Sequence, residues 1–509
     1  MDNIIMKLKL TKEERIVFII SILGFILARG ITFFTLGYAV DDYIFTLFTP
    51  NIGTVLYQGR WGSGLFFEFF NYLGIQGVFS PTLLMFIAAI GFVLLGIIIC
   101  RIWKINNNIT LSSLVVLFIT LFPYQAEIFT FKMTLTFFIF SLFFGFTSVY
   151  LSKFKLKEFS LATILFVFAI SMYQLVINYV FVAIITSLVI ETLRSYKSDS
   201  YKYDNNFWFD VIRRINLGPQ LLTLISGTSV YFLMNKLLLS FLHISIADRG
   251  NFINLHNISN RLYQFKISVE TVFFQNEPIL PLGSKILLLV LLFFVCVGLI
   301  RLYYLRRKNT INSFKVIMAV LILLAVSILG VWGVSLLLAV WWPVPRIIAS
   351  LGVFWAGILV VGYTLFDESV KKIFFIISTI LIFSFIGINN HVYIDQLRIN
   401  MKDIQMANRI IVRLQMLPNF TKIKTIAFVG TRWGYGTQIK TLQGDMNISA
   451  FGAEWSRLNL INEVGGFDFS AASNNEVNIA KDLCGNESIS PNSDFFVGVT
   501  GTLGVICLQ

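Results

Sequence analysis

Long apolar runs separated by short polar ones fill the first 389 residues. Eleven of them approach the length a helix needs to cross a hydrocarbon core of about 30 Å. They predict membrane-spanning helices at 16–38, 78–100, 109–122, 133–151, 159–172, 174–193, 220–242, 284–304, 315–340, 347–366 and 371–389. The fifth and sixth come from one continuous run, 159–194, which is too long for a single span. A tight turn is therefore expected at Met172-Tyr173-Gln174. The first run follows MDNIIMKLKLTKEER with no small-residue cleavage site after it, the pattern of an uncleaved anchor.

Charge orients these spans. With the N-terminus inside and strict alternation, the inside segments hold 21 Lys and Arg and the outside loops before residue 390 hold 7. That bias is a strong positive-inside signal, and merging the fifth and sixth spans would invert every later loop. The expected outside segments are 39–77, 123–132, the turn at 172–174, 243–283, 341–346 and everything after 390.

Residues 390–509 change character: they are polar, carry Gly and Asn, and contain no spanning run. HVYIDQLRINMKDIQMANRIIVRLQML has apolar residues at helical spacing and predicts one amphipathic helix. KIKTIAFVG predicts a strand ending at a glycine turn, and DFFVGVTGTLGVICLQ two short strands around Thr500-Gly501. The expected organisation is a polytopic all-α membrane domain, 1–389, with a small extracytoplasmic α/β domain, 390–509. GTRWGYGT follows a strand but lacks both the Lys-Ser/Thr of a phosphate-binding P-loop and the GxGxxG spacing, so nucleotide binding is not expected there. The five N-x-S/T sequons read as chance in an Asn-bearing chain.

Composition sharpens the class. The chain is 56% hydrophobic and 13% charged, with 52 Phe in 509 residues, which excludes a soluble domain. The net charge of +13 reads as loop orientation rather than nucleic-acid binding. Of four Cys, Cys100 and Cys296 fall in apolar runs, whereas Cys484 and Cys507 lie in the polar part. A bridge between the latter two is left open, since spacing alone does not decide it. No Cys/His pattern suggests a metal cluster.

The first outside loop, 39–77, is nearly as apolar as the spans but broken by Pro50, Gly53, Gly59 and Gly62. Two short amphipathic helices lying at the interface are expected there. At its start stand Asp41 and Asp42. An aspartate there caps a helix readily, but an acid on such a platform could also meet a lipid-linked substrate. A sugar on a polyprenyl phosphate already carries a good leaving group. The enzyme's tasks are then to deprotonate an acceptor hydroxyl, which suits Asp or Glu, and to stabilise the departing phosphate with cations.

The adjacent acids Asp41-Asp42-Tyr43, then Gly59-Arg60-Trp61, then Val344-Pro345-Arg346 at a late outside loop, set among eleven spans, resemble the bacterial glucosyl transferases of the Gtr type II family. The resemblance covers roughly 16–389. It implies a C-type glycosyltransferase fold, an undecaprenyl-phosphate glucose donor, a surface polysaccharide such as O-antigen as acceptor, and an inverting transfer at the outer face of the bacterial cytoplasmic membrane. It also implies Asp41 or Asp42 as general base, with Asp42 slightly favoured.

Arg60, Lys132 and Arg346 are the candidate donor-phosphate ligands. Arg60 and Arg346 also have a plainer reading, as a snorkelling cation and a headgroup anchor. Glu127, Tyr173 and Gln174 are the candidate acceptor or sugar ligands, with Glu277 a further polar residue in reach. Arg29 lies about 14 Å from the outer end of its span at 1.5 Å per residue, where a charge is costly and calls for a partner. Loop 243–283, with Asp248, Arg249, His256 and Arg261, is long enough for a lid. The two aspartates could hold Mg²⁺ or Mn²⁺, but a metal-independent reaction is expected. Two other classes stay open: a flippase or transporter of lipid-linked sugars, and a polysaccharide polymerase or ligase with its reactive residues in loop 243–283.

Overall fold

A computed structural model describes residues 9–35, 37–47, 51–75, 78–197, 207–245, 251–305, 310–486 and 494–508. Every expected apolar run contains a helix. The helices are Lys12–Arg29, Pro81–Ile102, Ile109–Leu121, Lys132–Leu151, Leu156–Met172, Val176–Lys197, Leu217–Phe241, Leu282–Leu305, Thr310–Trp332, Leu351–Leu365 and Glu368–Gln415. Seven of the described helices are long and apolar enough to cross a membrane, or eight if the bent pair Ile109–Leu121 and Pro123–Thr130 counts as one span. The eleven expected spans are thus all helical, but not all are full-length. Leu351–Leu365 has 15 residues, Leu156–Met172 has 17, and Lys12–Arg29 carries charges at both ends.

Local chemistry sets the boundaries. Thr11 and Glu14 form a reciprocal capping box at the start of the first helix. Pro81 opens the next span at a position where its missing N–H costs nothing. The expected turn falls at Tyr173–Leu175, between a helix ending at Met172 and one starting at Val176. At Phe122-Pro123 the chain leaves the helix, because proline disfavours helical geometry in the residue before it. The short helix Ala126–Thr130 that follows is bent 44° from the one before.

At one end of the bundle the basic loops are tied down by acids. Arg101 pairs with Glu14 at 2.6 Å, Lys104 and Arg214 both approach Glu191 at 3.6 Å, and Arg301 pairs with Asp367 at 2.9 Å. The loops expected outside meet one another at the opposite end.

Two expectations are refined. The described residues of loop 39–77 hold short helices, as expected, but of unequal length. A 12-residue helix, Trp61–Tyr72, is preceded by single-turn helices at Val40–Tyr43, Ile44–Leu47 and Gly53–Leu56. Gly59, at φ +71°, lies between Gly53–Leu56 and Trp61–Tyr72. The helix of the last expected span does not stop near residue 389. It continues unbroken from Glu368 to Gln415 for 48 residues, so the expected domain boundary falls inside a helix. Polarity changes at residue 390, but helical periodicity does not.

Beyond this helix, β1 (Thr425–Val429), β2 (Ser470–Ala471), β3 (Phe495–Thr500) and β4 (Leu503–Leu508) form one sheet in the order β2-β1-β4-β3. β1 runs parallel to β2 and β4, and β3–β4 is the antiparallel hairpin expected around Thr500-Gly501. Helices Glu454–Gly465 and Asn474–Asn486 cover the sheet. Cys484 on the second of these is bonded to Cys507 on β4, which settles the open pairing. Ile410, Ile411, Leu414, Ile426, Phe451, Leu460 and Ile506 share one apolar core, so the end of the long helix is part of this domain.

Candidate functional site

The two adjacent aspartates do different work. Asp42 is fully buried. Its carboxylate accepts hydrogen bonds from the backbone amides of Ala39 (2.9 Å), Lys132 (3.1 Å) and Met133 (3.0 Å). Lys132 and Met133 begin the helix Lys132–Leu151. Asp42 therefore caps that helix from ninety residues away, satisfying N–H groups that have no partner within the helix. Burial pushes its carboxyl up from 3.8 to about 6, against the pull of the three amides and the Lys132 charge. Asp41 points elsewhere. It is partly exposed, and its Oδ1 accepts the indole N–H of Trp455 at 2.9 Å.

The bend after Pro123 delivers Glu127 to a second cluster. Glu127 is buried and accepts the backbone N–H of Arg346 (2.6 Å) through Oε2. Its Oε1 accepts the Arg346 guanidinium (2.7 Å) and the backbone N–H of Asp445 (3.0 Å). The other arm of the guanidinium donates to Asp445 at 2.5 Å, and the group lies over the Phe131 ring. Burial alone would lower the Arg346 pKa, but the two carboxylates outweigh it and raise it above the ordinary value. The residues from Glu127 to Met133 thus connect the Arg346 cluster to the Asp42 cap. Lys132 sits within this stretch, buried, with its ammonium on the Phe129 carbonyl at 3.3 Å.

Asp445 belongs to a tight turn, Gln443–Met446, of the C-terminal domain. Gly444 at its tip has φ +61° and lies against Pro345, Val344 and Glu127, where a Cβ would come within about 3 Å of all three. Gln443 donates to Glu277 at 2.6 Å. Glu277 also takes the Lys285 ammonium at 2.6 Å and the Tyr124 hydroxyl at 2.5 Å. The turn is therefore seated between two buried carboxylates of the membrane part.

Arg60 stands apart from both carboxylates. Its guanidinium stacks on the Tyr173 ring, 4.4 Å from the centroid, and its Nε donates to the Gln174 side chain at 3.4 Å. Gln174 is fixed in turn by the Gln58 carbonyl (3.0 Å) and the Tyr231 hydroxyl (3.1 Å). Tyr173 and Gln174 thus hold Arg60.

Arg29 is buried in the bundle, where its partners are the Tyr393 hydroxyl (3.0 Å), the Thr120 carbonyl (2.6 Å) and the ring faces of Phe25 and Phe129. In loop 243–283, Arg261 donates to the carbonyls of Ser335, Leu338 and Ala339 and so ties two loops together. Asp248 and Arg249 lie outside the described residues. Among the described residues no three His, Cys, Asp or Glu side chains converge.

Asp445 and Trp455 were not singled out in the sequence. They lie 318 and 414 positions from their partners Glu127 and Asp41. The one local signal is the glycine before Asp445, which permits the turn.

A bundle of apolar helices with acids and cations gathered in the loops at one end defines a membrane protein whose polar chemistry is concentrated at one side. The Glucosyl transferase GtrII family model matches residues 30–388, about seven-tenths of the chain. The protein belongs to that family of glucosyl transferases. No curated protein and no solved structure matches the chain.

Proposed function

We propose that the protein moves a glucosyl group from a polyprenyl-phosphate donor to a surface polysaccharide such as O-antigen, with inversion, at the outer face of the bacterial cytoplasmic membrane. The observation that carries this reading is that Asp41, Asp42, Arg60, Glu127, Lys132 and Arg346 all lie at the end of the bundle opposite the basic loops. The positive-inside rule puts that end outside. A disulfide at Cys484–Cys507 fits the same side, since such bonds persist in oxidising compartments.

Asp41 is the general base of this reading and Asp42 a positioning residue, reversing the slight preference taken from the sequence. Asp42 has its oxygens committed to backbone amides, whereas Asp41 is partly open to solvent. Asp41 takes the proton of an acceptor hydroxyl. That oxygen attacks the anomeric carbon as the bond from this carbon to the phosphate oxygen breaks. The polyprenyl phosphate leaves with the electron pair, its charge met by Arg60, Arg346 and Lys132. Direct displacement inverts the anomeric configuration and leaves no covalent enzyme intermediate. The donor phosphate replaces Asp445 on Arg346. Tyr173 and Gln174 act by fixing Arg60, and Glu127 by fixing Arg346. The step as written uses no metal ion, because the carboxylates of Asp41 and Asp42 diverge. The GT-C fold is the architecture this chemistry calls for.

Membranes carrying wild type, Asp41→Asn or Asp42→Asn, supplied with labelled polyprenyl-phosphate glucose, test the reading. Asp41→Asn loses transfer but still binds donor. An Asp41→Asn variant that transfers label as fast as wild type overturns Asp41 as base.

A further inference from the structure

The first two residues to follow Glu454 in the helix Glu454–Gly465 grip the segment that carries the paired aspartates. Trp455 donates its indole N–H to Asp41 Oδ1 at 2.9 Å, and the Ser456 hydroxyl donates to the Val40 carbonyl. Asp41 thus sits beside the N-terminal end of a 12-residue helix. The Trp455 ring is 51% exposed. A large indole left half open to solvent beside a charged group is not a core residue. Trp455 also lies outside residues 30–388, the part matched to the family.

We propose that Trp455 of the C-terminal domain is a positioning residue for Asp41 and that its open face receives the acceptor sugar; this rests on Asp41 being the general base. The N–H holds the Asp41 carboxylate in place through Oδ1. The ring offers an electron-rich apolar face of the kind that packs against the C–H side of a hexopyranose. Acceptor hydroxyl and base are then brought together by one side chain, and orientation is a large part of what such a site can supply.

Two substitutions separate the roles. Trp455→Phe keeps a ring and removes the N–H; Trp455→Ala removes both. Full-length protein in nanodiscs is supplied with labelled polyprenyl-phosphate glucose. The acceptor is unmodified surface polysaccharide from source cells lacking the gene. W455F lowers kcat about tenfold while the acceptor KM stays within about twofold of wild type. Its acidic limb moves to higher pH, because a carboxylate that loses a donor has a higher pKa. W455A shows the same changes and raises the acceptor KM about tenfold or more.

Wild-type kinetics in both variants, with Asp41→Asn inactive, overturn the proposal. So does an equal loss of kcat in both with the acidic limb and the acceptor KM unmoved, the behaviour of a residue that only supports the fold or anchors in headgroups. An acceptor KM alike in W455F and W455A removes the sugar contact. An active Asp41→Asn overturns the underlying reading instead. Should W455A fail to fold, the acidic limb of W455F still decides whether Trp455 acts through Asp41.

Discussion

The backbone amide of Asp445 donates to the side chain of Glu127 across 318 positions of sequence, at 3.0 Å. The same two residues share the Arg346 guanidinium, but unequally: the Glu127 side chain is fully buried, whereas that of Asp445 is 23% exposed. Glu127→Gln therefore leaves a buried cation short of its main partner and costs about 3–5 kcal/mol. Asp445→Asn costs about 1 kcal/mol or less. It also strengthens binding of polyprenyl monophosphate about tenfold, because a competing anion has been removed. Thermal unfolding and lipid binding in detergent check both. A weaker-binding Asp445→Asn would show that this carboxylate helps to hold the donor.

Asp42 gives stability a pH dependence of known sign. Folding raises its pKa from 3.8 to about 6, so the folded state favours the protonated acid. Its contribution is full below the unfolded value and is lost as pH rises through the folded one. Between about pH 4 and about pH 6 the wild type loses on the order of 3 kcal/mol relative to Asp42→Asn, which does not titrate there. Unfolding temperatures of the two proteins across this range give the difference directly. A constant gap would mean that the buried carboxylate titrates at its ordinary value.

The C-terminal bridge spans 23 positions. Removing it with Cys484→Ser costs that domain about 3 kcal/mol. Under denaturing conditions without reductant, two thiols react, those of Cys100 and Cys296. Mass spectrometry after alkylation counts them; four reactive thiols would refute the bridge.

Arg60→Lys keeps a charge but loses both the planar stack on Tyr173 and the Gln174 contact. The donor KM rises about tenfold if the guanidinium holds phosphate. Steady-state kinetics at saturating acceptor measure it, and an unchanged donor KM would make Arg60 a headgroup anchor.

Much of the helical layout was legible because each apolar run declares its own length, and charge supplied the missing turn at Tyr173. The hairpin after Phe495 was readable from its alternation and its glycine. What escaped depends on distance. Nothing around Asp42 says that it will cap a helix beginning at Lys132, since a cap normally precedes its helix by one residue. Nothing around Asp445 or Trp455 announces Glu127 or Asp41. The continuity of the last helix escaped for another reason. Loss of apolarity at residue 390 marks a change of surroundings, whereas a helix ends only where its hydrogen bonding does.

That continuous helix, Glu368–Gln415, has a geometric consequence. Its 48 residues form a shaft about 72 Å long at 1.5 Å per residue. The membrane end is packed into the bundle and the far end is built into the C-terminal core, so the domain is mounted rather than tethered. Each added residue would turn the mount by about 100° and raise it by about 1.5 Å. Asp445 and Trp455 meet Arg346 and Asp41 only at one angular setting, so the number of residues in the shaft, and not only their identity, is part of how the site is assembled.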